Sequence, residues 1–162
     1  MRKETFKKNI SYIFDPNRKN AHYSLNGETF FNHGDLCEIL AKSVLGYEPK
    51  KDANTRHDKG HDIPELNASV KSYKCGLSDR KDLRVDKWYF FNKFFADELP
   101  NTTYIWVYEY GDFVDLWFMD MNEFKTFVLK CGSWDDGAHE KKWRFTKSNN
   151  TINKYLENSL AG

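Results

Sequence analysis

The run Gly60-His61-Asp62-Ile63-Pro64-Glu65-Leu66-Asn67-Ala68-Ser69-Val70-Lys71-Ser72-Tyr73 decides how the rest of the chain is read. Asp62 ends one short apolar stretch, and Lys71 stands inside the next, between Val70 and Ser72. Side chains alternate along a strand, so Ser69 and Lys71 project from one face and approach a common point together with Asp62. The expectation is a short hairpin with an acid on one arm and a lysine on the other.

Upstream, Leu36, Ile39, Leu40 and Val44 form the stripe of a helix predicted over residues 34–45, with Gly46 placed to end it. Glu38 falls at the border of that stripe beside Lys42 and Leu45, where it faces a cleft or water, water being the simpler expectation. Phe6, Ile10 and Ile13 recur at helical spacing and predict a helix over residues 3–14, stopped by Asp15-Pro16-Asn17. Residues 22–31 predict a hairpin with a two-residue turn at Asn26-Gly27. Polar loops are expected over residues 47–61 and 78–87, and a buried helix over 88–99. Residues 103–119 split at Gly111-Asp112 into two aromatic-rich strands. A short helix follows over residues 122–129, with Asn122 as its cap and Phe124, Phe127 and Val128 facing inward. Residues 141–146 read as an edge strand and residues 151–160 as a closing helix. This order predicts a mixed central sheet flanked by helices, α/β or α+β in class, in a single domain over residues 1–162.

A chain of 162 residues with 17% aromatics has the means to bury a core, and a net charge of +1 announces no global basic field. The distribution of charge says more. Residues 49–96 carry eleven Lys/Arg against seven Asp/Glu, whereas residues 97–136 carry two against nine. That asymmetry fits a polyanion-binding face with an acidic back, or a solvated mixed surface. Cys37, Cys75 and Cys131 are odd in number and widely spaced, which predicts reduced thiols packed as small core residues. Residues 1–14 lack the apolar core and cleavage site of a secretory signal, and no apolar run approaches membrane-spanning length. A cytoplasmic protein without a membrane partner is expected.

Phosphodiester hydrolysis needs a deprotonated water, neutralisation of the phosphate and help for the departing oxygen. Mg²⁺ or Mn²⁺ held by oxygen ligands on adjacent strands can supply all three, with a lysine orienting the water or stabilising developing charge. Asp62, Ser69, the Val70 carbonyl and Lys71 have the order and alternation for this. Together with Gly34, Glu38, Leu45-Gly46-Tyr47, Asp62-Ile63-Pro64-Glu65-Leu66 and Ser69-Val70-Lys71-Ser72, the chain resembles the PD-(D/E)XK nuclease superfamily. Within it the likeness is to the MutH mismatch-repair branch and its related restriction enzymes, over residues 34–74.

The resemblance implies a restriction endonuclease-like fold and a Mg²⁺-dependent DNA endonuclease. It assigns Asp62, Ser69, Lys71 and Glu38 to catalysis, and Asp62, Glu38, Glu65 and Val70 to metal binding. The departure is Ser69, which stands where the family carries its second metal-binding carboxylate. Glu65 or Glu38 supplies that acid from a shifted position, Ser69 ligates through water, or the site is inactive. The last case implies a nuclease-fold protein that binds nucleic acid or a protein, as an inhibitor or accessory factor of a mobile element. Lys74, Arg80, Lys81, Arg84, Lys87 and Arg144 are the candidate phosphate contacts, to DNA or RNA. Plainer readings stand beside each role: Asp62 as a turn cap, Lys71 as an edge-strand guard, Glu38 as a surface residue, the basic loop as solvated. His57 and His61 fit a solvated loop better than a metal site.

Overall fold

The computed structural model describes residues 1–17, 22–25, 29–49, 61–77, 82–83, 92–93, 101–135, 142–145 and 147–161. Along them the chain runs β1 (Arg2–Lys7), β2 (Tyr12–Asp15), β3 (His22–Leu25), β4 (Thr29–Phe31) and α1 (His33–Val44). A single 3-10 turn (Pro64–Leu66) leads into β5 (Ala68–Lys74), followed by β6 (Asp82–Leu83), β7 (Thr103–Tyr110) and β8 (Phe113–Met119). The chain ends with α2 (Met121–Cys131), β9 (Ser133–Asp135), β10 (Lys142–Arg144) and α3 (Asn149–Ala161).

The central sheet has the order β1-β8-β7-β5, with β5 parallel to β7 and the other pairs antiparallel. Tyr110 pairs with Phe113, so β7 and β8 are joined by Gly111-Asp112 alone, and Gly111 takes the positive φ of 54° such a tight connection requires. Both faces of this hairpin are covered, which is why it reads as an almost unbroken apolar run. Ile105, Val107, Val114, Leu116 and Phe118 meet Leu36, Cys37, Leu40 and Ala41 of α1 on one side. Tyr104, Trp106, Trp117 and Met119 meet Phe124, Phe127 and Val128 of α2, and Ile152 and Leu156 of α3, on the other. The architecture is helix, mixed sheet, helix, in one compact domain. Two small sheets, β2-β3-β4 and β6-β10-β9, extend it.

Helix α1 starts where Asn32 accepts a hydrogen bond from the Asp35 N–H at 2.9 Å, and it ends at Gly46, whose φ is +85°. Gly34 brings its first turn close to β5; a Cβ there would lie 3.4 Å from Ser72 Oγ.

Five expectations change. Residues 3–14 form β1 and β2, not a helix, because β8 offers a complete edge to which Arg2 through Lys7 pair residue by residue. The pairing is reinforced by Thr5 Oγ1 donating to Asp115 Oδ1 at 2.7 Å and by the Arg2 guanidinium 3.8 Å from the Phe118 ring centroid. Ile13, one of the three apolar residues of the expected stripe, is exposed. The cap of α2 is Asp120, not Asn122: Asp120 accepts from the Glu123 N–H, and Glu123 accepts from the Asp120 N–H. Strand β10 is not an edge strand, since it pairs with β6 on one side and β9 on the other. Residues 82–83 of the expected polar loop form β6. Leu25 pairs with Thr29, so three residues, not the expected two, connect β3 to β4, and Asn26-Gly27 lie outside the described residues. Of the helix expected over residues 88–99 only Asn92 and Lys93 are described. Among the described residues no helix is long and apolar enough to cross a membrane.

Candidate functional site

The segment from Asp62 to Ala68 is a tight hairpin whose geometry is set by its own residues. Ile63 and Ala68 exchange both backbone hydrogen bonds, at 3.0 and 3.1 Å. Pro64 opens the 3-10 turn, where a missing N–H costs nothing, and Asn67 closes it at φ +49°, a conformation that asparagine tolerates. The Asn67 carbonyl then accepts from the Thr103 N–H at 2.9 Å, fastening the turn to the start of β7.

This turn places Asp62 at the free edge of β5. Its Oδ2 accepts the Val70 N–H at 2.7 Å. In a strand the N–H and C=O of one residue point to the same side. The Val70 carbonyl therefore also points to the Asp62 edge, away from β7. Ser69, Val70 and Lys71 lie opposite Tyr104, Ile105 and Trp106. Val70 packs into the α1-side core, while Lys71 lies on the other face, its Nζ 5.8 Å from the Tyr104 ring centroid. Residue alternation puts Ser69 on the Lys71 face. Asp62, Val70 and the Ser69/Lys71 pair are thus brought to one end of one strand.

The other expected site residues are distributed differently. Glu38 is buried, not solvated, and pairs with Lys42 Nζ at 3.0 Å on α1. Its helix covers the face opposite Lys71. Glu65 is exposed on the 3-10 turn, Lys74 is half-buried on β5, and Arg144 is exposed on β10. Arg80, Lys81, Arg84, Lys87 and His57 lie outside the described residues. His61 Nε2 is 2.8 Å from the buried Thr102 Oγ1, beside the hairpin. Two acids of the segment read as an acidic back are interior. Glu109 accepts from the Tyr12 hydroxyl, Lys8 Nζ and the Gly76 N–H, and Asp115 accepts from Thr5 and Tyr110.

The cysteines depart most from expectation. Cys37 of α1 and Cys75, just past β5, form a disulfide with Cα atoms 5.9 Å apart, while Cys131 is a free, buried thiol. Burial raises the Cys131 pKa, against a smaller opposing effect of Lys147. His33, one helical turn before Cys37, directs Nε2 to 3.9 Å from its sulfur. Among the described residues, His33, Cys37 and Cys75 are the cluster of three with metal-ligand character, their ligand atoms within 4.8 Å of one another. Glu38, Asp62 and Glu65 do not assemble into such a cluster. The helical spacing of His33 and Cys37 was legible in the sequence; the arrival of Cys75 was not.

An open cleft lined by Lys7, Lys8, Ile10, Ser11, Tyr12 and Asp112 lies at the Gly111-Asp112 end of the sheet. The Asp62–Lys71 group lies at the opposite end, beside Tyr104, so the cleft is not part of that site. No family model, curated protein or solved structure matches the chain.

Proposed function

We propose that the chain is a divalent-metal-dependent DNA endonuclease on a restriction endonuclease-like core, with a variant site built from Asp62, Ser69, Val70 and Lys71. The observation that carries this reading is the Asp62 carboxylate held 2.7 Å from the Val70 N–H at the free edge of β5. There Asp62 Oδ1 and the Val70 carbonyl offer hard oxygen ligands at one edge. Mg²⁺ binds through one or two carboxylates and keeps several waters, so this donor set fits it without a second acid at Ser69. When bound, the ion supplies Lewis acidity and an activated water. Asp62 and the Val70 carbonyl would hold the ion, Ser69 Oγ would hydrogen-bond a water beside it, and Lys71 would orient the attacking water or meet charge on the phosphate.

The test is nicking or cleavage of supercoiled plasmid with Mg²⁺ or Mn²⁺. Asp62→Asn keeps an oxygen that accepts from Val70 N–H but removes the charge, so the fold should survive while turnover falls at least about 100-fold. Lys71→Ala should behave likewise. An Asp62→Asn protein as active as wild type overturns the proposal.

A second reading rests on the failure of Glu38, Asp62 and Glu65 to gather into one cluster. It makes the chain a nuclease-fold protein that binds nucleic acid or a partner protein without cutting. Its signature is salt-sensitive DNA binding with no divalent-dependent turnover, and gain of cleavage on Ser69→Glu. Wild-type cleavage that is lost in Asp62→Asn removes it.

A further inference from the structure

We infer that His33, Cys37 and Cys75 form a binding site for a soft divalent cation of the zinc class, open when the Cys37–Cys75 disulfide is reduced. The inference is independent of the endonuclease reading, because these ligands are sulfur and imidazole rather than the oxygens offered at Asp62. A disulfide needs only its two sulfurs. Here a third donor of the appropriate chemistry is turned toward them: His33 Nε2 lies 3.9 Å from Cys37 Sγ, and all three ligand atoms fall within 4.8 Å. His33 and Cys37 stand four residues apart on α1, on one helical face, and Cys75 reaches them from the end of β5.

The distances suit the chemistry. Zinc–sulfur bonds of about 2.3 Å and zinc–nitrogen bonds of about 2.0 Å at tetrahedral angles put ligand atoms roughly 3.5–3.8 Å apart. The His33–Cys37 separation is already close to that. Once the sulfur–sulfur bond is broken, the two sulfurs need only rotate apart about Cα positions that stay 5.9 Å from each other. Three protein ligands leave a fourth position for water or another small ligand. All three residues are buried, which protects the metal–thiolate bonds.

The two states of the site are mutually exclusive and balanced. A phosphine or dithiol reductant breaks the Cys37–Cys75 bond and becomes oxidised, while each sulfur takes one electron and one proton. Cation binding then displaces the two thiol protons to solvent. In the disulfide form each sulfur is neutral and only weakly donating, so oxidation removes the thiolate charge that holds the ion and expels it.

The experiment uses the full chain without an affinity tag, reduced with a phosphine under anaerobic conditions and titrated with Co²⁺. The expected result is one equivalent bound, with a thiolate-to-cobalt charge-transfer band in the near ultraviolet that Zn²⁺ abolishes by displacement. The same protein left oxidised should show no band, a control that requires no mutation. Cys131→Ser should retain the band. Cys75→Ser or His33→Asn should weaken Zn²⁺ binding by about 100-fold or more, checked on variants whose circular dichroism matches wild type. Absence of the band in reduced wild type overturns the proposal. So does its persistence in oxidised protein or in a Cys37→Ser/Cys75→Ser variant.

Discussion

Glu109 is buried yet accepts from the Tyr12 hydroxyl at 2.7 and 2.9 Å, from Lys8 Nζ at 3.0 Å and from the Gly76 N–H at 2.6 Å. Burial first, then the hydrogen bond and charge of Glu109, raises the Tyr12 pKa well above its ordinary value. A group whose folded pKa is raised contributes stability that is fully present below its unfolded pKa, near 10 for tyrosine, and lost as pH rises beyond it. Stability should therefore fall as pH climbs above about 10, and Tyr12→Phe should flatten that dependence in urea unfolding series. Gly76 carries a second prediction at this scale. Its φ is +59°, and a Cβ would stand 2.5 Å from Tyr23 Oη, whose oxygen also accepts from the Leu77 N–H at 2.9 Å. Gly76→Ala should cost about 2–4 kcal/mol by denaturant unfolding, through backbone strain and overpacking together. Neither constraint shows in the sequence, because each depends on what arrives from β2 or β3.

Among the elements, α2 shows how close a local reading comes and why it slips. Asp120-Met121-Asn122-Glu123 contains the spacing of a reciprocal cap, but Met119 and Met121 flank Asp120 and blur where the strand stops and the helix begins. Removing the cap with Asp120→Ala should cost roughly 1 kcal/mol, measured by chemical denaturation, with little change in the slope of unfolding. β1 slips for a different reason. Its periodicity suggested a helix, but the edge of β8 gives every residue from Arg2 to Lys7 a cross-strand partner, and pairing of that extent outweighs three weakly spaced apolar residues. The β7–β8 hairpin, by contrast, was legible to the residue, since strand propensity, a glycine turn and double-sided burial agree.

At the scale of the molecule, the Cys37–Cys75 link ties α1 to the end of β5 and closes a loop with a sequence separation of 38. Asp62, Glu65, Ser69, Val70, Lys71 and Glu38 all lie inside that loop. Chain-entropy arguments give such a closure roughly 4 kcal/mol at most, and often less. Reduction without added metal should therefore lower the unfolding free energy by about 2–4 kcal/mol, best measured in a Cys131→Ser background. Cys131, buried and with its thiol pKa raised, should resist alkylation near neutral pH until the protein unfolds.

Wherever neighbouring residues sufficed, the sequence by itself determined the outcome. The turn at Gly111-Asp112, the stripe of α1 with its stop at Gly46, and the alternation that sets Ser69 and Lys71 on one face all follow from contacts a few residues apart. Only the tertiary structure decided the pairing of β1 with β8, the burial of Glu38 beneath a covering layer, and the meeting of His33 and Cys37 with Cys75. The physical reason is the same in each case. A strand's partner, a helix's covering layer and a second sulfur come from distant parts of the chain, and local periodicity carries no information about which of them will arrive.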